Sequence, residues 1–136
     1  MLTKLVEKEN AGPEVQAAYA ELEKMLGMVG PPFKVIANKP EYLKVIVEKF
    51  KVAMGPGKID EKTKLFVYLA TSIMNNNDMC IFVFTNMLKE KLGVTDEELV
   101  ELYSVIDIAN TINHINTAAM IKPPAQEKQQ QGGPIH

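Results

Sequence analysis

The sequence predicts an all-α protomer of five to six helices, and three observations carry that expectation. Apolar residues recur at helical spacing along most of the chain, prolines and glycines punctuate the intervals, and no alternating runs flank a hairpin turn. At 136 residues the chain falls in the single-domain range, long enough to bury roughly two-thirds of the surface exposed by its unfolded form.

The first helix is expected over residues 13–26. Pro13 sits in its first turn, where a missing N–H costs nothing, and Val15, Ala18, Tyr19, Leu22 and Met25 share one face. Gly27 and Gly30-Pro31-Pro32 end it. A short helix over 32–38 and a longer one over 40–54 follow, the latter with Leu43, Val45, Ile46, Phe50 and Val52 as its apolar residues. The turn Gly55-Pro56-Gly57 then breaks the pattern.

Asp60 is the expected N-cap of a helix over 61–74, whose Leu65, Phe66, Tyr68, Leu69 and Ile73 cover much of the circumference and predict burial on most sides. Asn75-Asn76-Asn77 interrupts it. The next helix should begin near Asp78, with that carboxylate as its cap, and run to Leu92, where Gly93 supplies a left-handed stop. Residues 79–85 are rich in β-formers and read in isolation as a buried strand, but 86–92 continues at helical spacing, so the segment is assigned to helix. Thr95 and Glu98 form a capping box that opens a long helix to about Met120, stopped by Pro123-Pro124. One domain is expected over 1–122, and a flexible tail of Pro, Gln, Lys and Gly over 123–136.

Composition narrows the function. The charged fraction is 24% and the net charge -2, which leaves no footprint for nucleic acid or an anionic membrane surface. All fifteen basic residues are lysines, so the planar fork suited to bidentate carboxylate capture is missing. The longest apolar runs, such as Cys80 to Phe84, fall far short of the roughly 20 residues that span a bilayer. One cysteine cannot close an internal disulfide, and no secretory pattern opens the chain; a soluble protein in the cytoplasm is expected. The helices near Phe66 and Phe82 and the long helix from Asp96 carry more apolar surface than a domain of this size hides, which predicts a homo-oligomer.

The order PPFKVIANKPEYLKVIVEKF, GPGKIDEKTKLFVYLA and NNNDMCIFVFTNMLKEKLGVTDEEL resembles the carboxymuconolactone decarboxylase and AhpD-like alkylhydroperoxidase superfamily over about residues 31–120. The resemblance implies a helical protomer assembled into trimers or hexamers. It also implies either peroxiredoxin-type peroxide reduction by a dithiol, an antioxidant activity, or decarboxylation of a cyclic lactone acid. In redox-active members a helix opening with CxxC, followed four residues later by His and preceded by a glutamate about twelve residues upstream, carries the chemistry. Aligned on Gly93, the two cysteine positions fall on Asp78 and Ile81, the histidine on Thr85, and the glutamate on Phe66 or Leu65. The dithiol mechanism therefore does not carry over.

Each candidate residue has two readings. Cys80 lies between the vacant cysteine positions; near a helix start its thiolate would be favoured by the dipole, so it could attack a peroxide or an electrophile. Flanked by Met79, Ile81 and Phe82, it could equally be an inert space-filler. His114, with Asn110, Asn113 and Asn116 beside it, makes a polar cluster on an otherwise apolar helix: a general base or ligand at a pocket, or a hydrogen-bonded group at a subunit interface. The second histidine, His136, lies in the tail, so no multi-histidine metal site and no cofactor are expected. Asp78, Ile81, Thr85 and Phe66, with Asn110 and Asn113, are the expected pocket lining. Three functions follow: a family member limited to single-cysteine antioxidant chemistry at Cys80, a thiol-independent lyase built on Asp78, Thr85 and His114, or a non-catalytic helical oligomer that binds a small ligand or partner.

Overall fold

The computed structural model describes residues 2–125 and places six α-helices among them, with no β-strand. The chain divides into two compact units, Met1–Thr95 and Asp96–His136. The first holds α1 (Pro13–Leu26), α2 (Pro31–Ile36), α3 (Pro40–Met54), α4 (Glu61–Met74) and α5 (Asp78–Asn86); the second holds α6 (Asp96–Ala118).

Proline occupies the first turn of α1, α2 and α3, fixing φ where no intrahelical donor is needed. Gly27, at φ 75°, ends α1 in the left-handed region and donates its amide to the Glu23 carbonyl. One face of α1 then packs on α3. Val15, Tyr19 and Leu22 meet Leu43, Val47 and Ala37, all buried, with Phe33 and Ile36 of α2 against their edge.

An element that periodicity did not announce ties this layer together. The N-terminal segment runs across α1 and α2: the Val6 amide donates to the Lys34 carbonyl at 3.0 Å, the Tyr19 hydroxyl donates to the Val6 carbonyl at 2.7 Å, and Asn38 Nδ2 donates to the Lys4 carbonyl at 2.7 Å. A short 3₁₀ turn, Lys8–Asn10, leads it into α1. Backbone carbonyls do most of this work, which is why side-chain patterning is silent about it.

Asp60 caps α4 as expected, its carboxylate accepting from the Thr63 amide at 2.7 Å; that bond, ahead of the nearby lysine charge, holds its carboxyl below the ordinary range. Burial of α4 is narrower than the sequence suggested. Leu65, Leu69 and Ser72 form a single buried stripe at helical spacing, whereas Val67 is 61% exposed and Met74 50% exposed. α4 packs beside α5, where Phe84 and, one turn on, Leu88 are buried.

The segment 79–85 is helical, in keeping with its assignment. Its N-cap, however, is Asn77 and not Asp78: Asn76 turns the chain at φ 52°, and the Asn77 side chain then accepts from the Cys80 amide at 3.0 Å. Asp78 is the first helical residue, exposed, where its charge complements the helix dipole. The helix does not continue regularly to Leu92 but relaxes into a π-helical turn, Met87–Lys91. Gly93 at φ 65° closes it, with the Gly93 amide donating to the Lys89 carbonyl and the Val94 amide to the Leu88 carbonyl.

In the second unit α6 spans 23 residues, and Val100, Tyr103, Val105, Ile108, Ile112 and Ile115 along it are exposed. It ends at Ala118, ahead of Met120, which takes φ 53°. Residues 121–125 are irregular and exposed; the tail expected over 123–136 otherwise lies outside the described residues, as does His136. Among the described residues no helix is long and apolar enough to cross a membrane.

Candidate functional site

Four aromatic rings link the helices of the first unit. Phe33 of α2 meets Phe50 of α3 edge to face, with centroids 6.5 Å apart and planes at 85°; Phe50 meets Tyr68 of α4 at 6.4 Å; Tyr68 stacks on Phe84 of α5 at 3.8 Å and 25°. Tyr68 is the only ring in this series with a polar tip. Its hydroxyl interacts electrostatically with the Cys80 thiol, so the stack on Phe84 holds the phenol beside the sulfur. Burial first, then the neighbouring Cys80, push the Tyr68 phenol above its ordinary range, which keeps the hydroxyl protonated and able to donate.

Cys80 is partly buried in the first turn of α5. It is not enclosed by its apolar neighbours. Together with Tyr68 it forms a wall shared by two cavities. One, of about 480 Å³, opens between the end of α3 and α4 and mixes Ile59 and Val67 with Thr63, Lys64, Thr71 and Asn77. The other, of about 190 Å³, lies on the aromatic side among Phe33, Phe50, Met79, Val83 and Phe84. Beside the larger cavity Lys64 Nζ donates to the Gly55 carbonyl at 2.6 Å, and Thr71 and Ser72 return their hydroxyls to the carbonyls of Val67 and Tyr68.

The other sequence candidates sit elsewhere. Asp78, Ile81, Thr85 and Phe66 line neither cavity. Phe66 lies beneath Lys62, whose Nζ is 5.6 Å from the ring centroid, and Thr85 Oγ1 is buried without a hydrogen-bond partner. Asn110, Asn113 and His114 belong to the second unit, on α6, where Asn113 and His114 are exposed. Tyr68 was read from the sequence only as an apolar helix residue. The signal that could have found it is its hydroxyl, since a phenol on a buried helix needs a partner. Among the described residues no cluster of three or more His, Cys, Asp or Glu side chains is placed to hold a metal ion.

The model of the carboxymuconolactone decarboxylase family matches residues 40–121, more than half of the chain. The chain belongs to the carboxymuconolactone decarboxylase family. As a family member it carries the matched region from α3 through α6, with the Tyr68–Cys80 pair inside it. Among solved structures it is similar to the alkylhydroperoxidase AhpD core from Rhodospirillum rubrum, at 28% identity and a TM-score of 0.81, over 90% of this chain and 93% of that one. No curated protein matches it. The AhpD-like helical fold expected from the sequence is the fold observed.

Proposed function

We propose that this family member reduces hydroperoxides with one thiol, Cys80, assisted by the Tyr68 hydroxyl, and relies on an outside low-molecular-weight or protein thiol to complete the cycle. The observation that carries the reading is the shared wall: the chain's single thiol stands beside a phenol and borders open space on both sides. The likeness to an alkylhydroperoxidase core supports the same direction.

In this reading the Cys80 thiol loses its proton to solvent, and the Tyr68 O–H donates to the resulting thiolate. Sulfur attacks the terminal oxygen of the hydroperoxide, an S–O bond forms as the O–O bond breaks, and the departing alkoxide takes a proton from water. Sulfur is oxidised by two electrons and the peroxide is reduced to an alcohol. One outside thiol then displaces water from the sulfenic acid to give a mixed disulfide, and a second releases Cys80 as the thiol. A reducing cytoplasmic setting would supply both.

A homo-oligomer, trimeric or hexameric, is part of the same proposal, supported by the exposed apolar residues along α6. The thiol-independent lyase reading draws less support, because Asp78 and Thr85 line neither cavity beside Cys80. Trapping with dimedone after one equivalent of an organic hydroperoxide tests the proposal: an adduct on the Cys80 peptide is expected, and an unmodified thiol after complete mixing contradicts it.

A further inference from the structure

The smaller cavity has a chemical character of its own. Its wall is built from Phe33, Phe50, Phe84, Met79 and Val83, with no charged side chain, and its two side-chain polar groups are the Tyr68 hydroxyl and the Cys80 thiol. A charged ligand would lose its hydration there and find no counter-ion. The volume, about 190 Å³, compares with the roughly 150 Å³ of an engineered apolar cavity that stays dry and takes up benzene. The Phe33–Phe50 pair already meets edge to face, and a further flat ring can extend that geometry at the preferred spacing. Met79, 43% exposed, stands at the rim and has the flexibility to admit a molecule past it.

We infer that this cavity binds an uncharged aromatic molecule of one or two fused rings carrying a single hydrogen-bonding group, which meets the Tyr68 hydroxyl or the Cys80 thiol. Apolar contact on the aromatic wall supplies the affinity, and the phenol–thiol pair orients the polar edge. This binding does not rest on the proposed thiol chemistry.

Indole is a suitable probe, since the chain contains no tryptophan and the ligand can be excited at the red edge of its band, where the four tyrosines absorb little. Titration of the full chain should give saturable binding at one site per protomer, with benzoate at least tenfold weaker. Val83→Phe, which fills the cavity, should weaken indole at least tenfold while circular dichroism shows unchanged helix content. Bound indole should also slow alkylation of Cys80 by iodoacetamide, because the thiol shares the wall. Non-saturating uptake, benzoate binding as tight as indole, or indole affinity unchanged in a folded Val83→Phe protein would each overturn the inference. Dissociation of an oligomer by indole, seen by sedimentation, would identify a second copy of the chain as the occupant and overturn it as well. Failure of peroxide reduction with indole binding intact removes the proposed catalysis alone.

Discussion

Tyr68 is held against Phe84, whose ring stacks on it at 3.8 Å, with its hydroxyl beside the Cys80 thiol, so one side chain couples the packing of α4 on α5 to the chain's single thiol. The ring side of this contact is structural and the hydroxyl side is chemical. Tyr68→Phe keeps the stack and removes only the O–H. Its effect on Cys80 should therefore be separable from any effect on folding.

We expect Tyr68→Phe to slow alkylation of Cys80 by iodoacetamide at neutral pH by about 2- to 10-fold, the kinetic equivalent of one lost hydrogen bond to the thiolate. Thermal unfolding near neutral pH should shift little. An unchanged alkylation rate would show that the phenol does not assist the sulfur.

The same tyrosine gives the fold an alkaline limit. Burial, followed by the Cys80 charge, raises the Tyr68 phenol, and burial, followed by Glu7, raises that of Tyr19, both above the ordinary value of 10.0. A raised folded value means that the neutral phenol is the form the fold prefers. Its stabilising contribution is complete below about pH 10 and is lost as pH rises through the folded value. Melting temperature should therefore fall more steeply above pH 10 in the parent than in Tyr68→Phe; parallel curves would contradict this.

Gly55 closes α3 where a side chain has no room. A Cβ there would stand 2.5 Å from the Lys51 carbonyl oxygen, so Gly55→Ala must displace backbone and should cost about 1–3 kcal/mol in urea unfolding. At Gly57 the nearest atom to a Cβ is Lys64 Nζ at 3.5 Å, an ordinary van der Waals separation, and Gly57→Ala should stay within about 0.5 kcal/mol of the parent. Similar losses at both sites would refute the steric account.

Two further substitutions weigh the layers. Leu69→Ala empties a fully buried position in the stripe of α4 and should cost about 2–5 kcal/mol. Tyr19→Phe leaves the Val6 carbonyl without its 2.7 Å donor and should cost about 1 kcal/mol, accompanied by faster amide exchange at Val6. Exchange at Val6 unchanged in that variant would mean the N-terminal segment is held by other bonds.

The helices were legible because their ends are written in residues with few alternatives: proline at the start of α1 and α3, Asp60 before α4, glycine after α1 and after the π-helical turn. What was not legible depends on neighbours distant in sequence. Periodicity places Tyr68 on α4 but does not say which side chain of α5 lies opposite its hydroxyl, and Cys80 is brought there only by the turn at Asn76 and the cap at Asn77. The cap itself was misplaced by one residue, onto Asp78, since both side chains suit that role and only the backbone decides. The strap of residues 4–8 across α1 and α2 uses carbonyl and amide groups common to every residue, so no side-chain pattern marks it.

The most direct measurement is steady-state consumption of an organic hydroperoxide by the full chain with dithiothreitol as the outside thiol, comparing the parent with Cys80→Ser and with Tyr68→Phe. Turnover in the parent, none above the uncatalysed rate in Cys80→Ser, and an intermediate rate in Tyr68→Phe are expected. Equal rates in the parent and Cys80→Ser would contradict the assignment of the chemistry to this sulfur.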